Sequence, residues 1–312
     1  MTAPAVVIIG EAMLELSGRS RLGGTMTLGQ GGDTLNTAIY LARLGVSAAY
    51  VTALGQDPWS DEMLANWDAE GINTGLVVHH PRRMPGLYAI QTDERGERSF
   101  LYWRDNSAAR EMFDLPGSET AIAAASKSDW LYFSGITLSI LSAHARERLF
   151  GIVRAVRENG GQVAFDPNFR PRGWPGANAA RHLFTALARD IDLVLPSLDD
   201  EDLLFGPAAP QDHIARWQAA GVQTVVAKCG AEGCWIGEAG TAPRKLAARP
   251  ARQVVDTTGA GDSFNAGFLA ARLRGAGLDE AVGAGQALAR IVVGYPGAIA
   301  PAEALAGPRA QA

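Results

Sequence analysis

Val6-Val7-Ile8-Ile9-Gly10 is the stretch that decides the fold. Four β-branched residues in a row leave no polar side for water, so the run reads as a strand buried on both faces and ended by glycine. Working outward, Thr34 to Leu44 carries apolar residues at helical spacing and stops at Gly45, a C-cap residue. Ala48 to Leu54 is strand-like again, and Glu62 to Trp67 helical again. The rhythm resumes with a strand at Asp129 to Phe133, a helix at Arg146 to Asn159 and a strand at Val163 to Phe165. Leu193-Val194-Leu195 and Thr224 to Ala227 extend the series. Strands alternating with helices predict an α/β fold: a doubly wound, mostly parallel sheet flanked by helices.

One stretch departs from the rhythm. Leu87 to Thr92 and Arg98 to Arg104 are strand-like runs joined by Asp93-Glu94-Arg95-Gly96-Glu97, a hairpin signal. Such a hairpin serves either as a flap that keeps water from a site or as an edge of the main sheet; pattern alone leaves both open. No repeat, low-complexity tract or linker divides the chain. The expectation is a single domain over 1–312, with lid elements near 11–30 and 86–106 and a frayed Ala/Gly/Pro-rich tail after Pro301.

The chain has 312 residues, 47% of them hydrophobic and 20% charged, a composition that buries a sizeable core. A formal charge of -5 argues against a nucleic-acid partner, which calls for a basic surface. Cys229 and Cys234 lack the second pair that a zinc ribbon needs, and Gly230 and Gly233 between them suggest a turn. Reduced thiols flanking a loop are expected, with a redox pair as the alternative. The start of the chain lacks a signal-peptide pattern, and the apolar run Ala5 to Ile9 is too short to span a bilayer. A cytoplasmic protein with no membrane contact is therefore expected.

The chemistry concentrates in Asp256-Thr257-Thr258-Gly259-Ala260-Gly261-Asp262-Ser263-Phe264-Asn265-Ala266-Gly267. A glycine turn that runs into a helix presents backbone N–H groups at the positive end of the dipole, which suits phosphate. It is not a P-loop, since no Gly-Lys-Ser/Thr follows. An aspartate beside a phosphate site is electrostatically awkward unless it has work to do. Asp262 is either a general base for an attacking hydroxyl or a helix cap. A second glycine feature, Gly31-Gly32 followed by Asp33 and Asn36, either lets backbone approach a ligand or forms a tight turn with an Asx cap.

Together these segments resemble the ribokinase-type (PfkB) carbohydrate kinase family. The family's N-terminal signature is matched by Gly31-Gly32, Asn36-Thr37-Ala38 and Ala42-Arg43-Leu44-Gly45, and its C-terminal signature by Asp256 to Phe264. Within the family the chain is most similar to the branch that phosphorylates 2-keto-3-deoxygluconate. That likeness is carried by Gly10-Glu11-Ala12-Met13-Leu14-Glu15-Leu16, Pro85-Gly86-Leu87-Tyr88 and Gly96 to Arg104, and further by Asp166 to Arg172 and Leu198-Asp199-Asp200-Glu201.

The resemblance implies that Asp262 is the base and that the amides of Gly259, Ala260 and Gly261 form an anion hole. It implies that Gly32, Asp33 and Asn36 hold substrate hydroxyls, that Tyr88, Tyr102 and Arg104 reach down from the hairpin, and that Arg170 completes the anionic end of the pocket. Asn168, Ser197, Lys228, Gly230 and Gly233 fall where the family contacts ATP. A sugar acid carries a carboxylate, which a planar guanidinium holds with two parallel hydrogen bonds. Without the family, Arg104 reads equally as a solvated flap residue, Arg170 as a surface arginine, and Lys228 as a phosphate contact or a surface lysine. The acidic run ending in Glu201 either helps hold Mg2+ through water or is a solvated helix start.

Relatives often bind a monovalent cation such as K+, for which Asp256 and Thr258 are the candidates. Many also carry an aspartate early in the chain where this one has Glu11 and Glu15, so that contact stays unassigned. A homo-oligomer is expected, because subunit pairing covers exposed hairpin edges. The rival readings are a kinase for another sugar such as fructose, and a non-catalytic nucleotide- or sugar-binding regulator.

Overall fold

The computed structural model describes residues 4–18, 24–92 and 98–305. The strands are β1 Val6–Ile9, β2 Met13–Ser17, β3 Thr27–Gly31, β4 Ala48–Val51, β5 Ala53–Leu54, β6 Val78–His79 and β7 Gly86–Thr92, then β8 Arg98–Trp103, β9 Trp130–Ser134, β10 Gln162–Asp166, β11 Leu193–Val194, β12 Thr224–Lys228, β13 Cys234–Glu238 and β14 Arg244–Leu246. The helices are α1 Asp33–Arg43, α2 Pro58–Ala69, α3 Ser118–Ala125, α4 Gly135–Ile140 and α5 Ala143–Glu158, then α6 Ala177–Leu187, α7 Leu198–Phe205, α8 Pro210–Ala219, α9 Ala260–Leu273 and α10 Leu278–Val292.

The main sheet has eight strands in the order β14-β13-β12-β11-β10-β9-β1-β4, parallel from β4 through to β12. β1 lies inside it, and its four residues are wholly buried, as the unbroken apolar run predicts. Alternation along the strand feeds two cores. Val6 and Ile8 pack with α1, α2, α9 and α10, whereas Val7 and Ile9 pack with α3 to α8. Gly45 takes φ 77° and donates its N–H to the Ala42 carbonyl, ending α1 where the sequence places the stop.

Two strand readings change. Ala48 to Leu54 is not one strand: pairing with β1 ends at Val51, and β5 pairs with β6 in a separate two-stranded sheet. The main sheet is also extended by the antiparallel β13 and β14, which the βα rhythm does not announce.

The hairpin β7–β8 is not an edge of the main sheet. It joins β2, giving a four-stranded sheet in the order β3-β2-β7-β8. β2 follows directly on β1, so this small sheet hangs from the large one next to its β4 edge. Met13, Tyr88 and Ile90 make its own core with Phe100, while Leu101 and Trp103 are exposed. The hairpin turn at 93–97 lies outside the described residues, as does the tail from 306. Up to Leu305 the end of the chain is tied down: the Tyr40 hydroxyl donates to the Ala298 carbonyl, the Arg43 guanidinium donates to the Ala300 carbonyl, and Leu305 rests on the core.

β1 is flanked by β4 on one side and β9 on the other, so the chain winds outward in both directions from here. The carboxyl ends of β1, β9 and β10 therefore open on a crevice at a topological switch point, the usual ligand position in such sheets. Among the described residues, no helix is long and apolar enough to cross a membrane.

Candidate active site

Three aspartates converge on the crevice from distant parts of the chain. Asp33 opens α1, Asp166 ends β10 and Asp262 lies in the first turn of α9. The Asn36 amide donates to Asp262 Oδ2 at 2.8 Å, and the Thr37 hydroxyl donates to the Asp262 backbone carbonyl at 3.3 Å. The residues opening α1 thus set the position of the aspartate opening α9. Burial pushes the Asp262 carboxyl up to about 7, the nearby Asp33 charge adds to it, and the hydrogen bond from Asn36 opposes it. Burial also pushes the Asp33 carboxyl up, against hydrogen bonds from Ser134 and Asn168. Asn168 donates to Asp33 Oδ2 at 2.8 Å, and its own N–H donates to Asp166 Oδ1 at 3.0 Å. Among the described residues it is the one non-glycine with positive φ, at 32°, and it is held there by these bonds.

The turn before α9 is shaped by Gly259, at φ 72°, where a Cβ would lie 2.7 Å from the Ala298 carbonyl oxygen. The Ala260 N–H closes the turn onto the Thr257 carbonyl at 3.2 Å. The next amides, of Gly261 and Asp262, belong to the first helical turn and have no partner four residues back within the helix. Asp256 braces the turn: Oδ1 accepts from Thr258 N and Oγ1 at 3.0 and 2.7 Å, and Oδ2 accepts from Gly297 N at 2.5 Å.

Lys228 is not a surface lysine. Its Nζ donates to Asp166 Oδ2 at 2.8 Å and to Asn265 Oδ1 at 3.1 Å, and it would stand 3.6 Å from a Cβ placed on Gly261. Asn265 in turn donates to Asp166 Oδ2 at 2.7 Å and to the Tyr132 hydroxyl at 3.0 Å. The result is an ammonium fixed beneath the glycine turn by groups from β9, β10 and α9. Asn265 and Asp166 carry no role in the sequence reading. The available signal was spacing, since Asn265 follows Asp262 by three residues and so shares its helix face.

Two acids near β2 anchor the small sheet: Glu11, on the link from β1, ties the end of β8 to the core side, and Glu15, on β2 itself, bonds across to β7 within the sheet. Arg104 Nη2 donates to Glu11 Oε2, and the Tyr88 hydroxyl donates to Glu15 Oε2. These are the glutamates the sequence leaves unassigned. Burial, followed by the Glu15 charge, pushes the Tyr88 phenol far above its ordinary range. Tyr102 lies 6.0 Å from Tyr88, ring to ring, and the Arg104 guanidinium is 5.9 Å from the Tyr102 ring centre. The space left by the paired glycines is filled from within the protein: a Cβ on Gly31 would meet the Tyr88 hydroxyl at 2.2 Å, and one on Gly32 the Glu11 carbonyl at 2.4 Å. Gly31 thus makes room for a side chain of the small sheet, and Gly32 for close approach to the backbone of the β1–β2 link.

The remaining residues lie toward the other end of the sheet. Arg170 Nη1 donates to Asp200 Oδ1 at 2.8 Å and to the Phe169 carbonyl at 2.9 Å, so its charge is turned toward α7. Ser197 caps α7, accepting from Asp200 N at 3.3 Å. Gly230 and Gly233 shape the β12–β13 turn with φ of 53° and 104°, and a Cβ on Gly233 would be 2.2 Å from the Leu246 carbonyl. Cys229 and Cys234 flank that turn as free thiols.

The solvated helix start holds for Asp199 but not for Glu201. Its side chain is wholly buried and accepts from the Trp217 indole at 3.1 Å, facing α8 instead of solvent or phosphate. Position four of a short helix points back onto the helix packed behind it, and the acidic run around Glu201 hid that. Among the described residues, no cluster of three or more His, Cys, Asp or Glu side chains forms a metal site.

A carboxylate poised near neutrality, an ammonium and outward backbone amides within one crevice can deprotonate a hydroxyl and stabilise an anion arriving beside it. Residues 3–305 match the family described as pfkB family carbohydrate kinase. The chain is 42% identical over 311 residues to the 2-dehydro-3-deoxygluconokinase of Dickeya dadantii strain 3937, covering 98% of this chain and 99% of that one. Its fold is similar to that of a PfkB protein from Polaromonas sp. JS666, with a TM-score of 0.84, 29% identity, and 98% and 100% of the two chains covered. It is also similar to aminoimidazole riboside kinase from Salmonella enterica, solved with aminoimidazole riboside and an ATP analog, with a TM-score of 0.79, 26% identity and 94% of each chain covered.

Proposed function

The chain belongs to the pfkB family of carbohydrate kinases, and from that membership we propose that it transfers the γ-phosphoryl group of MgATP to the terminal hydroxyl of 2-keto-3-deoxygluconate. The observation that carries the reading is the carboxylate of Asp262, aimed by Asn36 and set at the mouth of the glycine turn beside Lys228. Asp262 takes the hydroxyl proton while that oxygen attacks the γ-phosphorus and the bond to ADP breaks. The amides opening α9 and the Lys228 ammonium face the charge that spreads over the transferring group. Asn36 Oδ1 is buried without a donor, which suits a substrate hydroxyl. Mg2+ supplies charge neutralisation on the phosphates.

The acid end of the substrate is assigned to Arg104, at the base of the lid, with Tyr88 and Tyr102 walling the pocket. The relative's name, 2-dehydro-3-deoxygluconokinase, supports a sugar acid as substrate. The exposed Leu101 and Trp103 on the lid, at 41% and 59%, favour pairing of two copies there.

The test is coupled ADP release across a panel of 2-keto-3-deoxygluconate, gluconate, fructose and ribose. The sugar acid is expected to have the highest kcat/KM; a higher value for fructose would reject the assignment.

A further inference from the structure

Glu11 has no role in the chemistry above, yet it is the most completely buried acid near the crevice. It sits on the short link from β1 to β2, its side chain is 0% exposed, and Arg104 at the far end of β8 is its ion-pair partner. Glu11 Oε1 and Arg104 Nε are both buried and have no hydrogen-bond partner. The pair is packed beneath the first residue of β7: a Cβ on Gly86 would lie 2.8 Å from Glu11 Oε1 and 3.2 Å from Arg104 Cβ. Three segments therefore meet at one ion pair, namely the link leaving β1 and the bases of both hairpin strands.

We infer that Glu11 is the positioning residue for Arg104 and thereby sets selectivity for a carboxylate-bearing substrate. The inference rests on the assignment of Arg104 to the substrate carboxylate. An arginine on a long flexible stem loses rotamer freedom when it captures a ligand, and a fixed counter-ion removes that loss beforehand. Glu11 is suited to this because it sits, buried, on the short link that leaves the end of β1. Having no exposed atom, it acts on substrate only through the guanidinium. Nη2 is bonded to Glu11 and Nε is buried, which leaves Nη1 for a second carboxylate. A neutral sugar gains nothing from that arrangement, so the effect of Glu11 should appear with acids alone.

The experiment is a double-mutant cycle on the full chain with MgATP, using Glu11→Gln, Arg104→Ala and the double variant. KM and kcat are read for the sugar acid and for the same sugar with its carboxylate reduced to an alcohol. Glu11→Gln should raise KM for the acid about tenfold or more, the loss expected when a charge-assisted hydrogen bond to the substrate is weakened. It should leave kcat within about twofold, as expected when only ground-state binding is lost. KM for the alcohol should not move, and in the Arg104→Ala background the Glu11 change should add nothing. An equal rise in both backgrounds, or no rise in the single variant, overturns the inference. If Arg104→Ala weakens acid and alcohol equally, the assignment of Arg104 is what fails; if Arg104→Ala is acid-selective and Glu11→Gln is silent, only the role of Glu11 fails. Should Glu11→Gln not fold, Gly86→Ala displaces the Glu11 carboxylate without removing a charge. It should give the same acid-selective rise in KM, and an unchanged KM would again reject the role.

Discussion

Asn36 and Asp262 are 226 residues apart, yet the amide of one donates to the carboxylate of the other at 2.8 Å. That bond occupies Oδ2 of Asp262 and orients the carboxylate in the crevice. It also joins α1 to α9, so the first helix and the helix after the glycine turn share one functional group.

Removing the carboxylate tests its role. Asp262→Asn should lower kcat by about 10²–10⁴, as expected for loss of a general base. ATP binding, followed by titration calorimetry, should survive. A variant with near-full turnover would remove Asp262 from the mechanism.

The pH profile follows from the neighbours. The base must be ionised to act, and burial with the Asp33 charge holds Asp262 up to about 7. Activity should therefore rise with pH through about 7. In Asp33→Asn one source of the upward push is gone, so the acid limb of kcat/KM should move to lower pH. A limb that stays put, or moves up, would mean that another group controls it.

Lys228 should matter for turnover more than for nucleotide affinity, because Asp166 and Asn265 fix it under the turn where charge develops. Lys228→Met is expected to lower kcat by about 10²–10³, the range for losing one stabilising donor. Steady-state kinetics that instead show only a raised KM for ATP would make Lys228 a ground-state contact.

Gly259→Ala should destabilise the fold as well as the site. At φ 72° an alanine is strained by about 1–2 kcal/mol, and its Cβ would press on Ala298 at 2.7–2.8 Å. Urea unfolding should show a lower midpoint with an unchanged slope. A midpoint equal to that of the parent chain would show that the turn can relax.

Glu201 supplies a pH test away from the chemistry. Burial pushes its carboxyl from 4.5 up to about 8. Because the folded value lies above the unfolded one, its contribution is fully present below pH 4.5 and is lost as pH rises through about 8. Glu201→Gln keeps the shape without the proton, so the variant should gain stability relative to the parent as pH goes from 6 to 8.5. Parallel unfolding curves at both pH values would show that Glu201 is ionised in the folded protein or coupled elsewhere.

Much of this architecture was legible in the chain. The apolar run Val6 to Ile9 announces a strand with a core on each side, and Gly45 announces the end of α1. Local preference and periodicity decide such features, and a reader of residues sees both. Where the reading slipped, a partner distant in sequence was responsible. Ala48 to Leu54 divides because two different sheets take its halves, and Glu201 turns inward because α8 lies behind it.

The sequence by itself determined the alternation of strands and helices, the glycine turn ahead of α9 and the kind of chemistry an aspartate there can do, because each depends on neighbours within a few residues. Tertiary structure alone decided that Asp33, Asp166 and Asp262 share one crevice, that Lys228 stands beneath the turn, and that Arg104 is held by Glu11. Those relationships are set by which strands lie side by side and by how much water the packing excludes. Neither quantity exists until the chain has closed on itself.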